Sequence, residues 1–568
     1  MTSRVALQRE LRRVRSTFGA AAEAGKERLL AALAAQELRT PALLSAYHED
    51  LLFLVAFPGS AQVRARAIEQ LNGIPRRVAS LGAVGQAAFA NTGIAGSVTR
   101  YAIAHPIAAV VCGDNPAAIE LDWSNVEDPA RLDELIARVL NDVERESFGV
   151  GMPTRRWVAL ARRRDAASTL QWLLKAGDAL PAAERSGFAA AWDQAEVPVR
   201  WRLSASPRSV TLNRIDVRSP VLRSAFRRLS VPLARHAMAP LDAIERLPRR
   251  RAVRVIDVAR SALAARCREV HAMNQANPDE VYLADLGEGV QLAVIGVLPA
   301  QRLLLEANYG YVLLSNGVPI GYGGVSPLFR QANTGINVFD PFRGSEATYL
   351  WAQTLRAFRS LFGVRRFIVN GYQFGAGNAE AIASGAYWFY YRLGFRPTSP
   401  EHQRLAEAEA ARLQGDGGRS PAATLRQLAR GDLVLDLPDW DDADAFDEGS
   451  LDRLGTVVAR QLSDQPHWSR RDGAHALATE VAQACGLQLH RRAVAERSAF
   501  ERLAPLVAAL PGWASWPRAE RLALGAMLLS KGAMQEAPYA RGAVAHARFF
   551  RELAALLAAS GVRPKGTP

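Results

Sequence analysis

The chain has 568 residues, 49% of them hydrophobic and 22% charged, with a formal charge of +14. Length implies several domains, and the composition is that of a folded protein rather than of a disordered or fibrous chain. The longest apolar stretches, Leu51–Phe57 and Gln291–Leu298, fall far short of the ~20 residues that a bilayer span needs. The Arg-rich start has no apolar signal core, and Cys112, Cys267 and Cys485 lie far apart, with no spacing suited to zinc or a disulfide framework. A cytoplasmic protein without a metal is the expectation.

Residues 1–196 read mainly as helices, with apolar positions at helical spacing in Leu29, Leu30 and Leu33 and again in Leu43, Leu44, Leu51, Leu52 and Val55. Two short runs within this region, Ala108–Cys112 and Ala118–Trp123, read as strands. Residues 197–254 form an Arg-rich connector. It holds fourteen arginines against Asp216, Asp242 and Glu245, and six prolines keep it from forming one long helix. Only four lysines occur in the chain, so arginine abundance by itself says little; its concentration here says more.

Residues 255–400 change character. A long helix is expected from about Ala252 to Asn274. Strands follow at Val281–Leu283, Val290–Val297, Tyr309–Leu314 and Pro319–Val325, the last two joined by Asn316-Gly317, which tolerate the positive φ of a tight hairpin. Thr334–Phe339 reads as a further strand and Glu346–Phe362 as an amphipathic helix stopped by Gly363. Arg366–Val369 reads as a buried strand and Asn378–Leu393 as a helix closed by Gly394. Residues 401–568 read as helical again, with a flexible break at Gly415–Gly418, a cluster of acids at Asp432–Glu448 and a frayed tail at Gly561–Pro568.

Within this pattern, Asn316–Gly324 resembles the central hairpin of a GNAT acyltransferase, and Phe389-Tyr390-Tyr391-Arg392-Leu393-Gly394-Phe395-Arg396-Pro397 is similar to that superfamily's "FYxxLGFRP" segment. Thr334–Val369 falls where the family places its acyl-CoA-binding strand, loop and helix. The resemblance covers about a quarter of the chain. It implies an α+β fold: a GNAT-like mixed β-sheet flanked by helices, with large helical N- and C-terminal regions added to it. It also implies transfer of an acyl group from acyl-CoA or acetyl-CoA to an amine or hydroxyl.

Site residues follow from the same resemblance. Backbone N–H groups of Asn337, Val338 and Phe339 would polarise the thioester carbonyl. Arg343, Gly344 and Ser345 stand in the phosphate loop, where backbone amides at a helix start can hold a pyrophosphate. The family's loop reads R/Q-x-x-G-x-G/A; Glu346 and Thr348 replace its small residues here, and a carboxylate beside a pyrophosphate is repulsive. Glu346 therefore points away from the donor, or the phosphate site has changed, or the donor is an acidic acyl-carrier protein rather than free CoA.

Tyr390 matches the tyrosine that protonates the departing thiolate in many family members. Alternatively it is one of four successive aromatics, Tyr387–Tyr390, that pack a core, and Tyr391 is its neighbour in register. Asn378 resembles a donor-contacting asparagine and is equally a good helix N-cap. For the amine proton, Asp340 at a strand end and Glu306 before the hairpin are the candidate acceptors, and each has a plain solvated or capping reading. His271 is a more distant substrate-side candidate.

The sequence departs from the family after Phe395, where a hairpin is expected and helical sequence follows. The final strands are lost, displaced or supplied from elsewhere.

Two other functions stand beside acyl transfer. One is a scaffold that keeps the fold and has lost catalysis. The other is nucleic-acid binding through residues 197–254, for which no recognition motif is present. The plain reading of that stretch is a solvated arginine surface paired with the acids of 432–448.

Overall fold

The computed structural model describes residues 3–241, 243–344, 346–415 and 417–560. The chain begins with four helices, α1 (Arg4–Val14), α2 (Ala20–Ala34), α3 (Pro41–Ala56) and α4 (Ala61–Ala79). Ser3, Thr40 and Ser60 cap α1, α3 and α4 by accepting N–H bonds from the first turn. The apolar run that marked α3 is buried almost throughout, from Leu51 to Phe57.

A small antiparallel sheet follows, built from β1 (Val98–Ala102), β2 (Ile119–Leu121) and β3 (Pro198–Arg202) in the order β1-β3-β2. The run Ala108–Cys112 is not a strand: it lies inside α5 (His105–Asp114). A five-residue apolar run fits a buried helix face as well as a strand, and His105-Pro106 supplies a helix start that strand reading ignores. The second run, Ala118–Trp123, holds β2.

The principal sheet has ten strands. They are β4 (Ile244–Arg246), β5 (Ala276–Gly287), β6 (Val290–Val297), β7 (Tyr309–Ser315), β8 (Val318–Leu328), β9 (Gln331–Thr334), β10 (Asn337–Val338), β11 (Arg366–Val369), β12 (Arg396–Pro397) and β13 (Leu433–Asp436). Their order is β12-β13-β11-β9-β8-β7-β6-β5-β4, with β10 beside β8. Only β9 and β11 run parallel among the described pairs. The molecule is thus a mixed α/β protein, with a mixed sheet, helices around it and helical regions before and after.

The hairpin turn forms at Asn316-Gly317, both at positive φ (46° and 80°). Asn316 is 2% exposed and does more than turn the chain. Its amide donates to the carbonyls of Ala56 and Val221 at 3.0 and 3.1 Å and accepts from the Val221 N–H at 2.8 Å. One side chain therefore ties the end of α3 and the Arg-rich stretch to the sheet.

Several helices differ from the pattern. The expected helix from 252 to 274 is α6 (Arg249–Ala264), followed by a reversal and a single turn at His271–Asn274. Cys267 takes φ 54° in that reversal, which ends the helix without glycine or proline. After β10, a 3₁₀ turn at Asp340–Phe342 leads into α7 (Ala347–Phe362), stopped by Gly363 at φ 76°. The segment Asn378–Leu393 is two helices, α8 (Ala379–Ser384) and α9 (Ala386–Arg392), because Gly385 turns left-handed between them. The expected strand Thr334–Phe339 is likewise divided into β9 and β10 at Gly335-Ile336.

The missing final strand comes from the acidic segment: β13 pairs antiparallel with both β11 and β12. The acids beside it face arginines of the sheet and of α7, not the Arg-rich stretch. Asp436 pairs with Arg366, Asp439 with Arg359 and Arg365, and Asp444 with Arg330. The Arg-rich stretch finds its own carboxylates: Arg200 and Arg202 face Glu120, Arg208 faces Asp114 and Asp257, Arg223 and Arg227 face Glu288, and Arg249 faces Asp279. Much of its charge is therefore neutralised within the fold. The tail at 561–568 lies outside the described residues.

Candidate functional site

The site follows from the one parallel pair. Residues 331–333 of β9 lie beside 366–368 of β11, and the two strands then part. Past Thr334 the chain stays beside β8 in the same register, Asn337 opposite Tyr322 and Val338 opposite Gly321, while β11 leaves it. Glycines allow the close approach of β8 to Gly335. A Cβ on Gly323 would sit 2.4 Å from the Gly335 carbonyl and 2.5 Å from the Tyr311 hydroxyl, which itself donates to that carbonyl at 2.5 Å. The divergence leaves an opening beyond the carboxyl ends of parallel strands, the place where open sheets commonly receive ligands.

A cleft of about 700 Å³ occupies it, lined by Ile336–Val338 from one strand and Tyr372 and Gln373 from the other. Tyr390 lies in its wall, 2% exposed and wedged among Trp351, Phe374 and Phe395. Its hydroxyl accepts the Ile336 N–H at 3.5 Å. Burial pushes its pKa up to about 12. The phenol keeps its proton at neutral pH, and that O–H has no acceptor among the described residues. Tyr391 is directed elsewhere, under the Arg396 guanidinium.

The three backbone candidates on this strand are not equivalent. The Phe339 N–H donates to the Ile320 carbonyl at 3.0 Å, so it is occupied. Alternation in the antiparallel ladder turns the Asn337 N–H toward β8 as well and leaves that of Val338 facing away from it. Val338 is therefore the backbone donor best placed toward the cleft. Phe339 stacks on Tyr322 instead.

Arg343 lines the cleft, and its guanidinium pairs with Asp340 at 2.8 Å and Glu380 at 2.9 Å. Gly344 follows at φ 81°, with nothing within 4 Å of a built Cβ. Ser345 lies outside the described residues. Glu346 is turned inward, 3% exposed, bonded to the Arg223 guanidinium and to the Arg227 N–H. Desolvation raises its pKa against the pull of Arg223. It does not face the cleft, and its side chain does not cap the first turn of α7, whose Ala347 lines the cleft. Asn378 caps α8 through the Ala381 N–H at 3.1 Å, donates to the Tyr372 carbonyl at 3.1 Å, and also lines the cleft.

Two candidates lie elsewhere. Glu306 does not line the cleft; its backbone carbonyl accepts Lys531 Nζ at 2.7 Å, where the C-terminal helices meet the sheet. His271 is exposed, its ring 3.5 Å from the Gln301 carbonyl. Asp340 lines a smaller neighbouring cleft rather than the main one.

Two residues not singled out from the sequence do line the cleft. Glu269 accepts the Ala104 N–H at 3.1 Å and the Asn274 amide at 2.7 Å, and burial raises its pKa. Arg268 donates to the Tyr322 hydroxyl at 3.2 Å. Both stand in the reversal after Cys267, which no sequence signal announced.

A second cleft of about 600 Å³ lies between the first turn of α7 and α9, lined by Thr348, Trp388 and Leu425, and shares Ser384, Gly385 and Phe389 with the first. Among the described residues no group of three or more His, Cys, Asp or Glu is arranged to hold a metal ion, and no helix is long and apolar enough to cross a membrane. Comparison with protein-family models, with curated proteins and with solved structures finds no match for this chain.

Proposed function

We propose that the protein is a GNAT-like acyltransferase that moves an acyl group from acyl-CoA to an amine. The observation that carries the reading is Tyr390: a buried phenol, protonated at neutral pH, in the wall of a cleft where parallel strands part. The thioester lies along Ile336–Val338 with its carbonyl oxygen toward the Val338 N–H. The neutral amine attacks the carbonyl carbon, the C–S bond breaks, and the leaving thiolate takes the Tyr390 proton. The amine's proton passes to Glu269, whose raised pKa brings it nearer to that of a base working at neutral pH.

The donor's pyrophosphate takes the start of α7, where Glu346 makes no capping bond, with Arg343 beside it. Glu346, which spoke in the sequence for a changed site or for lost catalysis, is occupied by Arg223 and Arg227 and leaves that position clear. This favours free CoA over a carrier protein as donor.

The test is calorimetric titration with acetyl-CoA, a long-chain acyl-CoA and CoA, joined to a thiol-release assay over a panel of amines. Saturable binding that Arg343→Ala weakens is the expected result. In the assay, Tyr390→Phe should lower kcat by about 10²-fold with little change in the KM for acyl-CoA. Glu269→Gln should lower kcat/KM and remove the acid limb of its pH profile. Failure of all three thioester-family ligands to bind would refute the reading.

A further inference from the structure

The smaller cleft beside the main one has a different character. It measures about 270 Å³ and runs between α3 and the turn after β10, with Ser45 and His48 on one wall and Arg266, Phe339 and Asp340 on the other. Arg266 sets its charge. The guanidinium lies over the Phe339 ring, 3.8 Å from the centroid, and donates to the Ala262 carbonyl at 2.7 Å. No carboxylate of the described residues lies within 4.0 Å of it. Three other packed arginines do otherwise, Arg208 between Asp114 and Asp257, Arg223 between Glu288 and Glu346, and Arg302 against Glu280, while Arg260 spends its guanidinium on the Met273 and Asn274 carbonyls.

The groups around Arg266 do not neutralise it. His48 is buried and uncharged, its Nε2 engaged with Thr211 at 3.0 Å. Glu49 is held by Arg12 at 2.7 Å, and Asp340 by Arg343 at 2.8 Å. Arg268, also in the wall, adds a second cation, itself 3.6 Å from Glu380. Burial and Arg268 together disfavour the charged form of Arg266, yet a guanidinium does not give up its proton in a protein. A bound anion relieves both penalties at once.

Size and position complete the argument. The cleft is smaller than the pockets that hold drug-sized ligands, and suits a molecule of amino-acid dimensions. It shares Arg268, Val338 and Arg343 with the main cleft, so a small molecule anchored in one extends toward the other.

We propose that this cleft receives the acceptor, a small amine that carries a carboxylate or a phosphate, and that Arg266 is the residue that holds the anion. The word acceptor rests on the acyl-transfer reading; the anion site does not.

The test titrates the full chain, at fixed ionic strength and with CoA present so that phosphate cannot occupy the start of α7. The ligands are three amines of similar reach: β-alanine, phosphoethanolamine and ethanolamine. The expected result is that one anionic amine binds at least about tenfold more tightly than ethanolamine, which says whether carboxylate or phosphate is preferred. Arg266→Gln should abolish that advantage and Arg266→Lys keep part of it. Equal binding of all three amines, no binding of any, or an advantage that survives Arg266→Gln would overturn the proposal. The comparison within the wild type decides the matter even if the Gln variant does not fold. Should CoA fail to bind while the anionic amines do, acyl transfer falls and the anion site stands; the reverse outcome removes the site and leaves acyl transfer intact.

Discussion

His48 shows how a single buried side chain couples the fold to pH. It is 2% exposed on α3, and burial, with the nearby Arg266 cation, lowers its pKa to about 3. An imidazole in the unfolded chain titrates near 6.5. Below that pH the unfolded chain gains a proton that the folded chain refuses, so stability is lost as pH falls. The slope from this one group is about 1.4 kcal/mol per pH unit. His48→Gln keeps a polar group for Thr211 and cannot titrate. Urea midpoints of the two proteins should therefore converge, or cross in favour of the variant, between pH 6.5 and 4.5, after differing at pH 7.5 by the cost of the substitution alone. Parallel curves over that range would mean that His48 takes up its proton in the folded state.

Elements were legible wherever a local pattern fixed them. β6, β7 and β8 were marked by apolar runs and by the Asn316-Gly317 turn, and α7 by its apolar stripe and Gly363. What stayed hidden was set by distant neighbours. β13 is four residues inside an acidic segment, and nothing nearby says that it will pair with β11. Glu269 reaches the main cleft because the chain reverses at Cys267, a residue whose φ of 54° no composition rule predicts. Tyr390, by contrast, was visible because it lies in a recognisable segment. Nor did the pattern show that β11 would part from this strand near Thr334 while β8 stays beside it, although that parting opens the cleft. β8 approaches Gly335 closely where the strands part, and Gly323 is the position that tests this approach. Gly323→Ala places a methyl against the Gly335 carbonyl and the Tyr311 hydroxyl. Overpacking of this kind costs about 1–3 kcal/mol. Because Gly335 leads directly into Ile336, which lines the cleft, the variant should lose affinity for the CoA proposed to bind there as well as melting temperature. Loss of stability with unchanged affinity would show that this close approach does not shape the cleft.

The helical regions on either side of the sheet are joined to it by different chemistry. The N-terminal side uses neutral hydrogen bonds at the hairpin, with Ser315 and Asn316 meeting the Ala56 carbonyl at 2.7 and 3.0 Å, and separate charged contacts such as Glu269 with the Ala104 N–H. The C-terminal side uses buried charge. Arg302, 4% exposed, donates to the carbonyls of Lys531 and Ala533 at 2.7 Å and faces Glu280 at 3.2 Å. Glu280 in turn accepts the N–H groups of Glu536 and Ala537 and the Tyr309 hydroxyl, while Lys531 bonds Glu536 at 2.5 Å. Two cations and two anions are thus balanced out of water. Such a set contributes little beyond what a well-packed apolar replacement would, but removing one member strands its partner. Arg302→Met should cost about 3–5 kcal/mol, and Arg302→Met combined with Glu280→Met distinctly less than the sum of the two single losses. Urea unfolding measures both. Limited proteolysis locates the damage, with new cleavage expected between Lys531 and Ala537 in the single variant, where the chain is held chiefly by Arg302 and Glu280. A single variant as stable as the wild type, or additive losses, would mean that apolar contacts such as those of Tyr539 and Phe549 hold the C-terminal helices in place without the ionic set.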